Sequence, residues 1–339
     1  MPDFEQIINK FNKANILVIG DLILDEFIWG DVERISPEAP VPVVWAKKRT
    51  FIPGGAANVA NNIRSLDGNV CLAGVIGKDK NTGILLAELK KRKISTAGIF
   101  ATAQRCTTLK TRIVAGHQQV VRLDWEDVEP LTRQTNQGII GFIRRNIHKF
   151  DAIIIEDYGK GVINMELLGM VLSLARKHKK IINVDPKEEH FQYYKGVTCI
   201  TPNRKELENA ARNIKIRDNT NRFKLDNYRL SAMKDVDVAA EHIMRYLDLD
   251  AVLVTLGEQG MKLFEKNKKV VHIPTVAQEV FDVSGAGDTV IAAFTLSLCS
   301  GAAKVEAARI ANYAAGIVVG KLGTAVTNRK ELLEKLNKV

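Results

Sequence analysis

Cysteine is scarce: the 339 residues hold four, Cys71, Cys106, Cys199 and Cys299, each standing alone. With no CxxC pair and no histidine at ligand spacing, neither a zinc site nor a disulfide framework is expected, and four small buried or half-buried thiols are the plainer reading. No apolar run approaches the roughly 18 residues that cross a bilayer, so a membrane-spanning protein is not expected. The opening MPDFEQIINKFNKAN is polar, carries two early acids and lacks the apolar centre of a signal peptide, which predicts a cytosolic protein. Hydrophobic residues at 46% and charged residues at 26% exclude disordered and collagen-like classes and suit a globular chain. The length allows one large or two modest domains.

Aromatics are also few, at 6%, and that bears on the charge. The net charge of +10 is compatible with nucleic acid, acidic surfaces or phosphorylated small molecules as partners. The basic clusters (Lys47-Lys48-Arg49, Lys90 to Lys93, Lys177 to Lys180) are not interleaved with stacking aromatics. They read as solvated helix ends, and neither nucleic acid nor membrane is expected as a partner. The six histidines, at 117, 148, 178, 190, 242 and 272, form no ligand set.

What is present is a regular alternation. Ile16 to Gly20 reads as a buried strand running into Asp21 and Asp25, and the proline-bearing stretch 37–44 as an edge strand or excursion. A helix over 56–66, a strand over 69–75 and a helix over 81–91 follow. Residues 107–114 and 119–125 read as a hairpin around Gly116. Next come helix 132–148, strand 152–155, helix 165–178 and strands 180–184, 197–200 and 251–255. A meander over 261–264 and 269–273 precedes helices 286–299, 305–320 and 329–337. Polar residues 212–237 read as a surface insertion. Alternating strands and helices predict an α/β fold, with a mostly parallel central sheet covered by helices on both faces. The hairpin and the proline-bearing segment are expected to form a small separate sheet.

The most informative segment is Phe281-Asp-Val-Ser-Gly-Ala-Gly-Asp-Thr289. Small residues at 284–287 just before a helical run let backbone amides approach an anion at a helix N-terminus, where the dipole adds attraction. Asp288 in the first turn opposes simple phosphate binding by repulsion. It makes sense as a base taking a proton from a hydroxyl that attacks the phosphate. The structural alternative is an ordinary capped helix after a glycine turn. No GxxxxGK[ST] occurs, and no GxGxxG follows the first strand, so neither a P-loop nor a dinucleotide fold is expected.

Asp282-Val-Ser-Gly-Ala-Gly-Asp288 resembles the C-terminal signature of the ribokinase-like (PfkB) sugar kinases, and Gly54-Gly55-Ala-Ala-Asn58 with Gly74-Val-Ile-Gly-Lys-Asp79 resembles their first signature. Thr201-Pro-Asn203-Arg-Lys-Glu206 and Val254-Thr-Leu-Gly257-Glu-Gln-Gly260 are similar to that family's metal-side and nucleotide-side motifs. Gly20-Asp-Leu-Ile-Leu-Asp25, Ser36 to Val43, Lys110-Thr-Arg112, Gln118 to Arg122, Asp157-Tyr-Gly-Lys-Gly161 and Asp185-Pro-Lys187 narrow the likeness to D-glycero-D-manno-heptose-7-phosphate kinases. The chain stops soon after these motifs, so it resembles a stand-alone kinase or the kinase half of a fused enzyme. It departs from the pattern at Glu156, where a small residue such as serine is expected, and at His117, where asparagine is expected.

The resemblance implies one ribokinase-like domain over 1–339 with lid segments at about 31–52 and 100–125. It implies transfer of the γ-phosphoryl of ATP, with Mg²⁺, to the anomeric hydroxyl of a heptose 7-phosphate. The product, heptose 1,7-bisphosphate, feeds ADP-heptose and lipopolysaccharide core or surface-polysaccharide synthesis. Asp288 matches the base, and Gly285, Ala286 and Gly287 the anion hole. Asp25, Gly54, Gly55 and Asn58 match sugar-binding positions. Lys110, Arg112, Arg122, Asp157 and Lys160 are expected around the sugar and its distal phosphate. Lys187, Asn203, Glu206, Thr255, Gly257, Gly260 and Asn312 match nucleotide-side positions, with Glu206 near Mg²⁺ through water. Asp282 and Ser284 are candidates for a monovalent cation such as K⁺, and the lid for a homodimer contact. Read singly, Asp25 is also an ordinary loop acid, Gly54-Gly55 a turn, the four cations solvated charges, and Asn203/Glu206 a capping pair. A kinase of another sugar and a non-catalytic sugar- or nucleotide-binding regulator are the competing readings.

Overall fold

The structure, a computed structural model, describes residues 4–116, 118–220, 222–223, 225, 229–277 and 279–337. His117 lies outside the described residues. Thirteen strands are formed among them: β1 (Asn15–Gly20), β2 (Leu22–Ile35), β3 (Pro42–Gly55), β4 (Asn69–Ile76), β5 (Ser95–Ala101), β6 (Thr108–Ala115), β7 (Gln118–Trp125), β8 (Ala152–Glu156), β9 (Ile181–Asp185), β10 (Cys199–Ile200), β11 (Ala251–Thr255), β12 (Met261–Glu265) and β13 (Val271–Ile273). The helices are α1 (Phe4–Ile8), α2 (Ala56–Ser65), α3 (Lys80–Lys91), α4 (Arg133–Asn146), α5 (Met165–Lys177), α6 (Arg204–Arg217), α7 (Met233–Tyr246), α8 (Ala286–Cys299), α9 (Lys304–Val318) and α10 (Arg329–Leu336).

Nine strands make the central sheet in the order β13-β12-β11-β10-β9-β8-β1-β4-β5. Its pairs are parallel from β5 to β11, and β12 and β13 close it as an antiparallel meander. The continuous apolar runs of β1 and β8 follow from burial on both faces. One core layer lies under α4 to α7 and the other under α2, α8 and α9. Each buried Leu, Ile or Phe in these layers contributes roughly 1.5–3 kcal/mol of transfer free energy. Among the described residues no helix is long and apolar enough to cross a membrane.

Two expectations need correction. Residues 212–237 are not a surface insertion: 212–217 complete α6, 233–237 begin α7, and Phe223, Leu225 and Leu230 between them are buried in the core. Sparse apolar residues in a polar stretch hid that packing. The small sheet is also larger and placed differently from the lid segments at 31–52 and 100–125. It has the order β3-β2-β6-β7, begins at Leu22, and leaves Ser95–Ala101 to the edge of the central sheet. Of the proline-bearing stretch 37–44, only 42–44 enter the edge strand β3, and 37–41 form the bend before it. β2 pairs antiparallel with β3 and parallel with β6, and β6 pairs antiparallel with β7.

The chain leaves β1 toward β4 on one side and later returns on the other through β8. In open parallel sheets such a reversal leaves a crevice beyond the carboxyl ends of the strands. Gly20, Glu156 and Asp185 lie in one register row at those ends.

Candidate active site

The crevice is built around Asp288. Gly285 caps α8 in the left-handed conformation (φ 78°), which brings Asp288 into the first turn. A Cβ at Gly285 would lie 2.8 Å from Asn58 Nδ2 and 2.9 Å from Thr324 Cγ2, so glycine is required there for space as well as for φ. The predicted base is 4% exposed. Asn58 Nδ2 donates to its Oδ2 at 2.6 Å and the Tyr158 hydroxyl to its Oδ1 at 3.3 Å. Burial pushes the Asp288 carboxyl up to about 6; the Asn58 bond pulls it down and the charge of Asp25 pushes it up again. α8 is buried from Asp288 through Ser297, and Thr289 donates to Asn62 of α2 at 2.8 Å, so the carboxylate rides on a fixed element.

Asp25 stands on β2, 5% exposed and ion-paired with Arg112. Gly54 faces it across the strand pair, where a Cβ would lie 2.5 Å from Asp25 Oδ2. Gly55 turns the chain into α2 with φ 54°. Three of the predicted cations lie on the small sheet, and Lys160 lies in the turn after β8. Lys110 pairs in register with Asp25, and Arg112 with Arg122. Lys110 Nζ sits 5.7 Å from the centre of the Tyr158 ring, and burial pulls its ammonium down. Arg122 pairs with Asp124 at 2.9 Å and Lys160 with Glu126 at 2.6 Å. Lys110 feels the charges of Asp124, Lys160, Glu126 and Arg122, so these groups form one cluster.

Several expected residues take other parts. Asp157 does not face the crevice: Oδ1 accepts from Gly159 N at 2.9 Å, while Oδ2 meets His190 Nδ1 at 2.7 Å and accepts from Tyr194 Oη at 2.6 Å. Its saturated carboxylate shapes the 157–161 turn and raises the His190 pKa. Asn312 is likewise buried, with its amide donated to the Pro274 carbonyl at 2.8 Å. Asn58 holds Asp288 directly, where a sugar contact was expected; its own Oδ1, fully buried, has no partner among the described residues. Asn203 and Glu206 form the reciprocal capping box of α6, at 2.9 and 2.8 Å. Glu206 still adds charge to Asp185, which places it on the crevice side.

Thr255 ends β11 and bridges to Asn203, next to Gly257 (φ 60°) and Gly260 (φ 81°). Lys187 Nζ lies 3.7 Å from both Glu188 and Glu189. Asp282 accepts from Ser284 N at 2.9 Å and Gly323 N at 3.1 Å, clamping the loop before α8 to the one before α10. Gly287 lies close to Asp185: a Cβ there would come 3.6 Å from Asp185 Oδ2.

Residue reasoning passed over three groups. Tyr158 touches Asp288, although only the motif around it was noticed. Asp21, pushed up to about 6 by burial, accepts from the amides of Tyr158, Lys160 and Val162 at 2.9, 3.0 and 3.3 Å and holds that turn. Asp185 stands beside the glycine loop. An acid ending each of several neighbouring strands was the available signal. For Mg²⁺ the donor set fits: Asp185, beside the glycine loop, and Glu206, whose charge reaches Asp185, offer hard carboxylate oxygens.

The chain is 44% identical over 322 residues to "Bifunctional protein HldE" of Helicobacter pylori strain J99, covering 95% of this chain and 66% of that protein. It is 44% identical over 329 residues to the protein of the same name from Geobacter metallireducens, covering 97% of this chain and 64% of that one. The chain thus spans slightly under two thirds of these relatives. Among solved structures, ribokinase from Thermotoga maritima superposes with a TM-score of 0.71 at 24% identity, covering 96% of this chain and 99% of that one. Phosphofructokinase-2 from Escherichia coli, solved in complex with potassium, gives 0.76 at 19% identity over 96% and 98%. Both show the ribokinase-like fold. The pfkB family carbohydrate kinase model matches residues 13–331, and the chain belongs to that family.

Proposed function

We propose that this chain is an ATP-dependent kinase that phosphorylates the anomeric hydroxyl of D-glycero-D-manno-heptose 7-phosphate, yielding the 1,7-bisphosphate. The observation that carries the reading is the pairing of Asp25 with Asp288: both are buried in one crevice, close enough for the charge of Asp25 to raise the Asp288 carboxyl. A carboxylate that accepts from sugar hydroxyls and a second with a pKa near 6 are the two acids a sugar kinase needs.

Asp25 binds hydroxyls while Gly54 lets the sugar approach the backbone. Asp288 takes the proton of the attacking hydroxyl, held in place by Asn58 and Tyr158. The amides around Gly285, Ala286 and Gly287 face the transferring phosphoryl, where preorganised donors are worth most. Lys187, Thr255, Gly257 and Gly260 line the nucleotide side. Mg²⁺, when bound, screens the polyphosphate charge, and Asp185 and Glu206 are the residues to hold it and its waters. Asp282 and Ser284 are assigned to a monovalent cation of the kind the E. coli structure holds.

The cluster of Lys110, Arg112, Arg122 and Lys160 supports the 7-phosphate part. Arg112 is ion-paired with Asp25, which puts its guanidinium between the sugar-binding acid and the rest of that cluster. The opposite face of β7 exposes Val121, Leu123 and Trp125, and this supports a homodimer formed through the lid. Use of ATP and a sugar phosphate also fits a cytoplasmic location.

The test is ADP release with heptose 7-phosphate, with the same heptose lacking the 7-phosphate, and with a panel of other sugars and sugar phosphates. A marked preference for heptose 7-phosphate is expected. Equal efficiency with and without the 7-phosphate removes the role given to the cations, and binding without turnover favours a regulator.

A further inference from the structure

The crevice holds an acid that phosphoryl transfer does not call for. Glu156 ends β8, flanked in register by Gly20 of β1 and Asp185 of β9. It is 0% exposed, and neither carboxylate oxygen has a hydrogen-bond donor among the described residues. A buried carboxylate left so is costly, by roughly 1–3 kcal/mol for an orphaned polar group and more for a charge.

What Glu156 does face is acid. One oxygen each from Glu156, Asp185 and Asp288 lie within 4.8 Å of one another, and this is the group of three potential ligands found among the described residues. Such a cluster needs a proton or a cation inside it. One proton can join one pair of carboxylates, whereas three converging oxygens match the hard ligand set of a small divalent cation. Both oxygens of Asp288 already accept, from Asn58 and Tyr158, whereas Asp185 accepts from Thr201 on Oδ1 alone at 3.2 Å, which leaves Glu156 and Asp185 Oδ2 as the direct ligands.

We infer that Glu156 and Asp185 form a divalent-cation site, bordered by Asp288, that fills in the absence of nucleotide. It shares Asp185 with the site assigned to a cation brought in on ATP, but it takes Glu156 as its second ligand in place of Glu206. Its dependence on Glu156 ties it to a position where a small side chain was expected. Asp185 is only half-buried, so a cation entering from the crevice can reach it. The inference relies on the kinase reading only for the role of Asp288.

The test uses the full chain without nucleotide and Mn²⁺ as the probe, with free Mn²⁺ measured by electron paramagnetic resonance. One equivalent of Mn²⁺ should bind, be displaced by Mg²⁺ and raise the thermal midpoint. Glu156→Gln should weaken that binding about tenfold or more and abolish the rise in midpoint while still melting cooperatively. Glu206→Gln should retain both. No binding to the wild-type chain at millimolar Mn²⁺, or equal binding by Glu156→Gln, overturns the inference and leaves a proton shared with Asp185. Loss in Glu206→Gln without loss in Glu156→Gln overturns it too. None of these results depends on turnover, so the kinase reading stands or falls separately.

Discussion

At the scale of single residues, the account rests on how Asp288 is held. Asp288→Asn keeps the size of the side chain and removes the base, so turnover should fall about 10²–10⁴-fold with an unchanged circular dichroism spectrum. Activity above about a tenth of wild type contradicts the assignment. A base with a pKa near 6 also sets the acid limb of the rate profile: kcat/KM should fall as pH drops through about 6. Tyr158→Phe removes a donor that favours the charged carboxylate, so the limb should move to higher pH. The sign for stability is the reverse. A carboxyl raised from 3.8 to about 6 stabilises the fold fully below pH 3.8, and that contribution is lost as pH rises through 6. Asp288→Asn should therefore melt no lower than wild type at pH 8. The glycine turn that brings Asp288 into the first turn of α8 was legible from residue types alone, whereas Asp25, inside β2, and Gly54, inside β3, were singled out by the family likeness. The part played by Asn58, Asp157 and Asn312 was not, since a motif places a residue without saying which neighbour its amide or carboxylate meets.

At the scale of elements, the turn after β11 leaves no room for a side chain at Gly260, although a Cβ at Gly257 would meet open space. Gly260 has φ 81°, and a Cβ there would lie 2.1 Å from the Ile273 carbonyl oxygen. Gly260→Ala should destabilise the chain by about 1–3 kcal/mol in urea unfolding, whereas Gly83→Ala on α3, where a Cβ meets open space, should be neutral or stabilising. The buried parallel strands and amphipathic helices were readable from apolar runs and 3.6-residue spacing. β2 was not, because fourteen residues that begin buried and end exposed carry no single period. The stretch between α6 and α7 misled for the opposite reason: Phe223, Leu225 and Leu230 reach the core from a segment without regular structure.

At the scale of the whole molecule, two sheets meet at the crevice, and the smaller one has two unlike faces. Cations on one side turn toward Asp25, and Val121, Leu123 and Trp125 on the other stand exposed. Leu123→Glu should convert a dimer to a monomer in sedimentation velocity, and a wild-type chain that sediments as a monomer at micromolar concentration contradicts the lid contact. The α/β class, the sheet covered on both faces and the existence of a second sheet were legible from patterning; which strands share that sheet depended on long-range pairing such as β2 with β6. The most direct test of the whole is the identity of the product. Phosphorus NMR after incubation with ATP, Mg²⁺ and heptose 7-phosphate should show a new phosphate coupled to the anomeric proton, absent with Asp288→Asn. ATP hydrolysis without sugar phosphorylation, or a phosphate on another hydroxyl, contradicts the assignment of Asp288 to the anomeric alcohol.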